Sequence, residues 1–138
     1  MVAAKKVLIV DSNIDIQEIL KEQLETNNEF ITESVGNGQL AVEKTSLNYY
    51  DIIIMDIELP DINGCDVCRV MRKNGVKSPI VMLSKSSADV DTILGLDSGA
   101  NDYIVKPFKV NVLMARLRAR IRESEQSEHA VFQIGHYS

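Results

Sequence analysis

Asp11 closes the run "VLIV", Asp56 closes "IIIM", Ser84 closes "IVML" and Lys106 follows "DYIV". Two carboxylates brought to one edge repel each other unless a cation lies between them. An open, oxygen-rich site of that kind suits Mg2+, which keeps several waters and binds through one or two carboxylates together with phosphate oxygens. The lysine adds a fixed positive charge and the serine a hydroxyl donor. An aspartate nucleophile, a metal, a lysine and a hydroxyl are the parts needed to take up a phosphoryl group and stabilise its equatorial oxygens. Taken singly, each residue reads equally well as a solvated loop position. Four of them at four strand ends of one short chain do not.

For these residues to meet, the runs before them must be neighbouring parallel strands. Lys6–Val10, Phe30–Val35, Asp51–Met55, Ile80–Leu83 and Asp102–Val105 read as strands. The first, third and fourth are nearly continuous apolar runs, as strands covered on both faces are. Phe30–Val35 alternates and suits an outer strand, and its end at Val35-Gly36 brings no polar side chain. Between the strands, Ile16, Ile19, Leu20 and Leu24 recur at helical spacing, as do Val90, Ile93, Leu94 and Leu96. Gly75 and Gly99 fall where left-handed helix caps belong. Leu113, Leu117 and Ile121 mark one side of a last helix that carries arginines around the rest. Five such units predict an α/β chain with a five-stranded, doubly wound parallel sheet and right-handed crossovers. Ligands of such sheets sit beyond the carboxyl ends of the strands, at the switch in strand order.

The bulk properties agree with one ordinary globular domain: 138 residues, 45% apolar and 25% charged. A net charge of −5 argues against an electrostatic grip on nucleic acid by this segment. No apolar run reaches the length of a membrane span, and "MVAAKK" lacks the apolar core of a signal peptide, so a cytoplasmic location is expected. Cys65 and Cys68 are the only cysteines, which fits a reducing compartment. They spell C-x-x-C, but positions three apart on a helix share a face, and no second Cys or His pair lies near. They read as core residues.

The stretches "VLIVD", "DIIIMDIELPDINGCDV", "SPIVMLS" and "SGANDYIVKPF" resemble the receiver domain of bacterial response regulators, the CheY-like, flavodoxin-like fold, over about Lys5 to Glu123. The resemblance implies strand order 2-1-3-4-5. It implies that Asp56 accepts a phosphoryl group from a phosphohistidine on a sensor histidine kinase, with Mg2+ bound. Asp11, Asp56 and the backbone carbonyl of Glu58 would be metal ligands. Ser84 would hydrogen-bond the phosphoryl group, Lys106 would pair with it, and Tyr103 would be the aromatic that turns inward when Ser84 moves. The Lys106–Pro107 bond would be cis. Such a domain gains and loses its own phosphoryl group and is not a turnover enzyme.

"FKVNVLMARLRARIRE" is similar to the last receiver helix of the OmpR/PhoB class of winged-helix transcription factors. That implies a homodimer through helix four, strand five and helix five, laced with ion pairs at Asp97, Asp102, Arg116 and Arg118. Thr92 and Val112 stand where a basic–acidic pair is usual, so one bridge is expected to be lost. Exposed pairs would set register more than strength. On this reading residues 1–123 form the receiver domain. Residues 124–138, polar in "SEQSEH" and then "AVFQIGHYS", are expected to be a linker and the opening strand of a truncated C-terminal DNA-binding domain. DNA would be bound only through that domain. His129 and His136 lie in this tail without partners for a metal.

Two other readings fit parts of the chain less well. "GNGQLA" satisfies a dinucleotide fingerprint but follows the second strand, and a turn into a helix accounts for it. "IIIMDIEL" also fits the nucleophile of a haloacid-dehalogenase-like phosphatase. Those enzymes need an acid Asp two residues on, where Glu58 stands, and an acidic pair after the Lys, whereas no acid follows Lys106 until Glu123.

Where the family pattern has two adjacent acids, "DSN" keeps only Asp11, and Ser12 takes the second place. One lost negative charge weakens a Mg2+ site. Ser12 is left as a neutral oxygen, a holder of a bridging water or a helix cap. Lys85 stands where a small residue usually follows the Ser, and is read as extended into solvent. Three outcomes follow: a normal site with weak Mg2+ affinity, a site in which the Glu58 side chain supplies the missing carboxylate, or a receiver that acts independently of phosphorylation.

Overall fold

The computed structural model describes the backbone of residues 3–137 and the side chains of residues 3–128. The elements alternate in order: β1 (Lys5–Val10), α1 (Ile14–Glu25), β2 (Phe30–Val35), α2 (Gly38–Leu47), β3 (Ile52–Asp56), α3 (Gly64–Lys73), β4 (Ile80–Ser84), α4 (Asp89–Asp97), β5 (Asp102–Val105) and α5 (Val110–Tyr137). All strand pairs are parallel, in the order β2-β1-β3-β4-β5. This is the expected doubly wound α/β sheet.

The continuous apolar runs do what covered strands require. Residues 7–10 and every residue of β3 and β4 are buried. Alternate side chains feed two cores. Val7, Ile9, Ile52, Ile54, Val81 and Leu83 meet Leu20 and Leu24 of α1 and Leu113, Leu117 and Ile121 of α5. Leu8, Val10, Ile53, Met55, Ile80 and Met82 meet Ala41 of α2 and Val67, Cys68 and Met71 of α3. Cys68 is fully buried and Cys65 half-buried against the same core, as the packing reading of C-x-x-C expects. Each buried Ile, Leu or Met contributes about 1.5–3 kcal/mol of transfer free energy. Gly75 and Gly99 have φ of 89° and 115°, the left-handed caps that end the preceding helices.

Two elements depart from the sequence reading. On α4, Val90, Ile93, Leu94 and Leu96 are 62%, 56%, 49% and 40% exposed, while Gly95 faces the sheet. Periodicity establishes the helix but not which side it buries. Here the space beneath is filled by the ring of Tyr103 and by Ile57, so only a glycine fits. The second departure is α5, which continues to Tyr137 where a linker and a strand were expected. Residues 124–130 contain no Gly or Pro, and Glu, Gln and Ala propagate a helix readily. Glu125 on this extension pairs with Lys5 at the start of β1. The side chains of His129 and His136 lie outside the described residues.

One cation ties the amino-terminal side of the sheet together without any carboxylate. Arg72, near the end of α3, donates to Gly99 O from Nε (3.1 Å) and Nη2 (3.0 Å), to Val76 O (2.8 Å) and Ser78 O (2.8 Å) from Nη1, and to Asn101 Oδ1 (3.0 Å). The guanidinium thereby staples the α3–β4 turn to the α4–β5 turn. Arg72→Ala strands these carbonyls and is expected to lower the unfolding free energy by about 2–4 kcal/mol, read as a fall in urea midpoint at unchanged m-value.

Candidate functional site

The register of the sheet sets the site. Val10 pairs with Met55, Asp56 with Leu83, and Ser84 with Val105. Asp11 and Lys106, each one residue past a strand, therefore stand level with Asp56 and Ser84 at the carboxyl edge. Asp11, Asp56 and Ser84 are 1%, 5% and 2% exposed. The Lys106 ammonium sits between the two carboxylates, 3.2 Å from Asp11 Oδ2 and 3.4 Å from Asp56 Oδ1. All four sequence-predicted residues are thus brought together, and the Lys106–Pro107 bond is cis.

The two aspartates are held differently. Asp11 Oδ1 accepts the Asn13 N–H at 2.9 Å, leaving Oδ2 to the lysine. Asp56 Oδ1 accepts the Glu58 N–H at 3.1 Å, while Oδ2 accepts no hydrogen bond among the described residues. Burial, and then the charge of Asp11, push the Asp56 carboxyl above its ordinary range, opposed by Lys106 and by the Glu58 N–H. With α3 starting at Gly64, helix and site are in backbone contact: a Cβ on Gly64 would lie 2.6 Å from Asp56 O and 2.7 Å from Ile57 Cα. A residue with a side chain there would displace the acceptor strand.

Two buried carboxylates against one ammonium leave an excess negative charge, which a divalent cation would neutralise. Among the described residues no three His, Cys, Asp or Glu side chains gather into a metal cage. A cation here would rest on Asp11, Asp56, the Glu58 backbone carbonyl (which accepts no hydrogen bond among the described residues) and water. That donor set fits Mg2+. Ser12 is exposed and adds no charge. It does not cap α1 either. Asn13 is the cap, its Oδ1 accepting from the N–H of Asp15 (2.9 Å) and of Ile16 (3.3 Å). Asn caps as well as Ser does, so the residue nearer the helix takes the role.

The Glu58 side chain is engaged at the end of β4. Its Oε2 accepts from Ser84 Oγ (3.1 Å) and its Oε1 from the Lys85 N–H (2.9 Å). Both its oxygens are thus taken up by the hydroxyl and the amide at the end of β4 rather than left open as a replacement for the carboxylate missing at position 12. Ser84 Oγ also accepts the Ser86 N–H at 3.1 Å. Ser86 Oγ donates to Asp91 on α4, and Ser86 O accepts the Tyr103 hydroxyl at 2.8 Å. Tyr103 thus lies inward, its ring against Gly95, where a Cβ would come within 2.8 Å of Cδ2. The Lys85 side chain is exposed, as expected. Ser86, Asp91 and Gly95 escaped the sequence reading; nothing in their types or spacing marks them before the loop is folded.

The charges on α5 separate. Arg116 Nη1 donates to Asp102 Oδ1 at 2.9 Å, and Arg120 Nε faces Asp102 Oδ2 at 3.7 Å. Arg118 instead clamps Glu29 from Nε and Nη2 at 2.6 and 2.8 Å, holding the Glu29 carboxyl below its usual range. Residues two apart on a helix point to nearly opposite sides, and Arg118 accordingly pairs with Glu29 while Arg116 pairs with Asp102. Asp97 is exposed and makes no ion pair among the described residues. The glycine-rich decoy is closed as well. The first turn of α2 is occupied by Asp61, which accepts from Gly38 N (2.8 Å) and Gln39 N (2.9 Å), and by Asn37, which accepts from Leu40 N (2.8 Å). A pyrophosphate would find those donors taken.

The raised Asp56 value carries a sign. The native state keeps that proton to higher pH than the unfolded chain does, so stability falls as pH rises from about the ordinary 3.8 through the native value, and is flat beyond it. Without divalent cations, Asp56→Asn is expected to be more stable than wild type at pH 7 by about 1–2 kcal/mol, with the gap closing below the ordinary carboxylate value. Paired urea titrations at several pH values check this.

Comparison with known proteins gives a consistent picture. The profile of the response regulator receiver domain matches residues 7–118. The chain is 41% identical over 132 residues to the DNA-binding response regulator MtrA of Mycolicibacterium smegmatis, an alignment covering 95% of this chain and 57% of that protein. It therefore spans little more than half the length of that relative. The receiver domain of the Francisella response regulator 1452 superposes with a TM-score of 0.81 at 28% identity, covering 87% of this chain and 98% of that one. The receiver domain of the sensor histidine kinase PA1611 of Pseudomonas aeruginosa, solved with a magnesium ion coordinated in its active site cleft, superposes with a TM-score of 0.78 at 31% identity over 86% of this chain and 98% of that one. Among the described residues no helix is long and apolar enough to cross a membrane.

Proposed function

The chain belongs to the response regulator receiver domain family, and on that premise we propose that it is the phospho-acceptor part of a transcriptional regulator of the OmpR/PhoB class, charged at Asp56 by a sensor histidine kinase. The observation that carries this is the unengaged Oδ2 of Asp56 beside Lys106 and Asp11 at the sheet edge. That oxygen attacks phosphorus in line, the N–P bond of the phosphohistidine breaks, and the imidazole leaves with the bonding electron pair and takes up a proton. The product is an acyl phosphate on Asp56. Lys106 offsets the charge of the phosphoryl oxygens, and Ser84 offers them its hydroxyl. Mg2+, held by Asp11, Asp56 and the Glu58 carbonyl, would supply the remaining charge neutralisation when bound. With Ser12 neutral and the Glu58 side chain directed elsewhere, that affinity is weak.

No turnover of external phosphomonoesters belongs to this reading. The Glu58 carboxylate, at the general-acid place of a phosphatase, is held by Ser84 and Lys85 and is not free over the nucleophile. DNA contact belongs to a carboxyl-terminal domain beyond the receiver.

Incubating the protein with phosphoramidate and increasing Mg2+ is expected to add one phosphoryl group by intact mass, and none in Asp56→Ala. Ser12→Asp should lower the half-saturating Mg2+ concentration by about tenfold, since each charged oxygen ligand contributes on that scale. Absence of uptake in wild type at saturating Mg2+ would favour a receiver that signals without phosphorylation.

The output surface in this reading is α4–β5–α5. Val90, Ile93, Leu94 and Val112 are exposed there, beside Asp102, Arg116 and Arg120. A two-fold pairing of that face would cover the apolar residues, while the charges rim it and fix register. Ile93→Glu is expected to weaken self-association of the phosphorylated protein by at least about tenfold in sedimentation equilibrium while leaving phosphoryl uptake unchanged.

A further inference from the structure

Glu58 does something that neither the acceptor chemistry nor the metal requires. Its carboxylate holds the Ser84 hydroxyl and the Lys85 N–H together, at 3.1 and 2.9 Å. These two donors lie at the end of β4, one and two residues past Leu83, which pairs with Asp56 in the sheet. We infer that Glu58 is a built-in competitor of the phosphoryl group: a carboxylate that occupies the Ser84–Lys85 donor pair in the resting state and must let go before an acyl phosphate on Asp56 can be fully bonded. The inference rests on the phospho-acceptor reading and adds to it the residue that sets the threshold.

Three observations support it. First, Glu58 is exposed, and its backbone N–H is tied to Asp56 Oδ1 at 3.1 Å, so the residue is anchored at the acceptor while its side chain is free to swing. Second, a cleft of about 700 Å³ opens between α3 and α4, with Glu58, Cys65, Arg69, Lys85, Asp91 and Leu94 on its walls. The released carboxylate has a solvated space to enter, with two cationic side chains on its rim. Third, the grip is connected. Ser84 Oγ accepts the Ser86 N–H, and Ser86 in turn joins Asp91 of α4 and the hydroxyl of Tyr103. While Glu58 holds Ser84, the loop after β4 is fixed in the arrangement that seats Tyr103 on Gly95. A phosphoryl group brings negative charge to the same donors, so it both replaces the carboxylate as acceptor and repels it.

The test uses this protein and its Glu58→Gln and Glu58→Ala variants, each alone and combined with Ser84→Ala, with phosphoramidate as donor at saturating Mg2+. Here Asp56 attacks phosphorus, the P–N bond breaks, and ammonia leaves. Glu58→Ala is expected to raise the rate constant of uptake about tenfold, the scale of one charge-assisted hydrogen bond. The gain should shrink at least about threefold in the Ser84→Ala background, because part of what is released is then missing. A direct readout precedes any chemistry: in 1H–15N spectra of the unphosphorylated protein, the Lys85 amide should move upfield in Glu58→Ala and lose protection from exchange.

An unchanged Lys85 amide would overturn the inference, since the grip would not exist. A shifted amide with wild-type uptake that does not accelerate in the variants would also overturn it, leaving Asp56 as acceptor. An acceleration undiminished by Ser84→Ala would reduce Glu58 to general charge repulsion and overturn the competitor role. If no variant takes up phosphate although the amide shifts, the acceptor reading fails and the inference goes with it.

Discussion

A single ammonium shared by two buried carboxylates governs this molecule. Lys106 stands within 3.4 Å of both Asp11 and Asp56, and none of the three has much access to water. Burial of like charges is tolerated only when the surroundings supply compensation, and here the supply is one charge short. That shortage underlies the proposed reactivity: a fully neutralised pair would have no use for a divalent ion or for a phosphoryl group that draws one in. The sheet exists to enforce it. Four of the five parallel strands carry two acids, a hydroxyl and an ammonium to a common edge, and two separately packed cores keep that edge from relaxing.

The rest of the carboxyl edge links this local imbalance to α4. From Ser84 the hydrogen bonds pass to Ser86, and from Ser86 to Asp91 and Tyr103, so the loop is attached at one end to the acceptor site and at the other to α4. α4 suits such a loop. It lacks a side-chain cap at Ala88, contains a glycine, buries almost nothing and shows its apolar residues to solvent. Elements with few buried contacts occupy the low-stability end of a fold.

Much of this was legible in the residues themselves. The apolar runs of β1, β3 and β4 gave away strands covered on both faces, and the residue types just past them disclosed the site, because strand ends of a parallel sheet have to converge. Less was legible wherever geometry depends on which of two equivalent choices a side chain takes. Ser12 and Asn13 are both competent caps, and only the folded turn chose Asn13. Arg116 and Arg118 lie in one basic helix, yet a rotation of about 200° sends them to Asp102 and Glu29. The apolar residues of α4 have the right period for a helix, and period carries no information about whether a core or a partner is on the other side. Glu58 is the clearest case. Its side chain was a candidate for the missing carboxylate, but the donors that hold it, Ser84 and Lys85, stand at and just past the end of β4, 26 and 27 residues on.

The staple at Arg72 gives the opposite end of α4 a different character. Gly99 and Asn101, which follow that helix, are bound by a guanidinium rooted in α3. The beginning of α4 is tied to the single hydroxyl of Ser86, which donates to Asp91 and accepts the Ala88 N–H. A rod fastened at one end moves as a lever. With α4 about 13 Å long from its nine residues, a tilt of roughly 10° about the fixed end carries the Asp89 end through about 2 Å and the Asp97 end through almost nothing. Any such tilt would be graded along the exposed stripe, greatest at Val90 and least at Leu96, and a surface docked there would open like a wedge rather than slide.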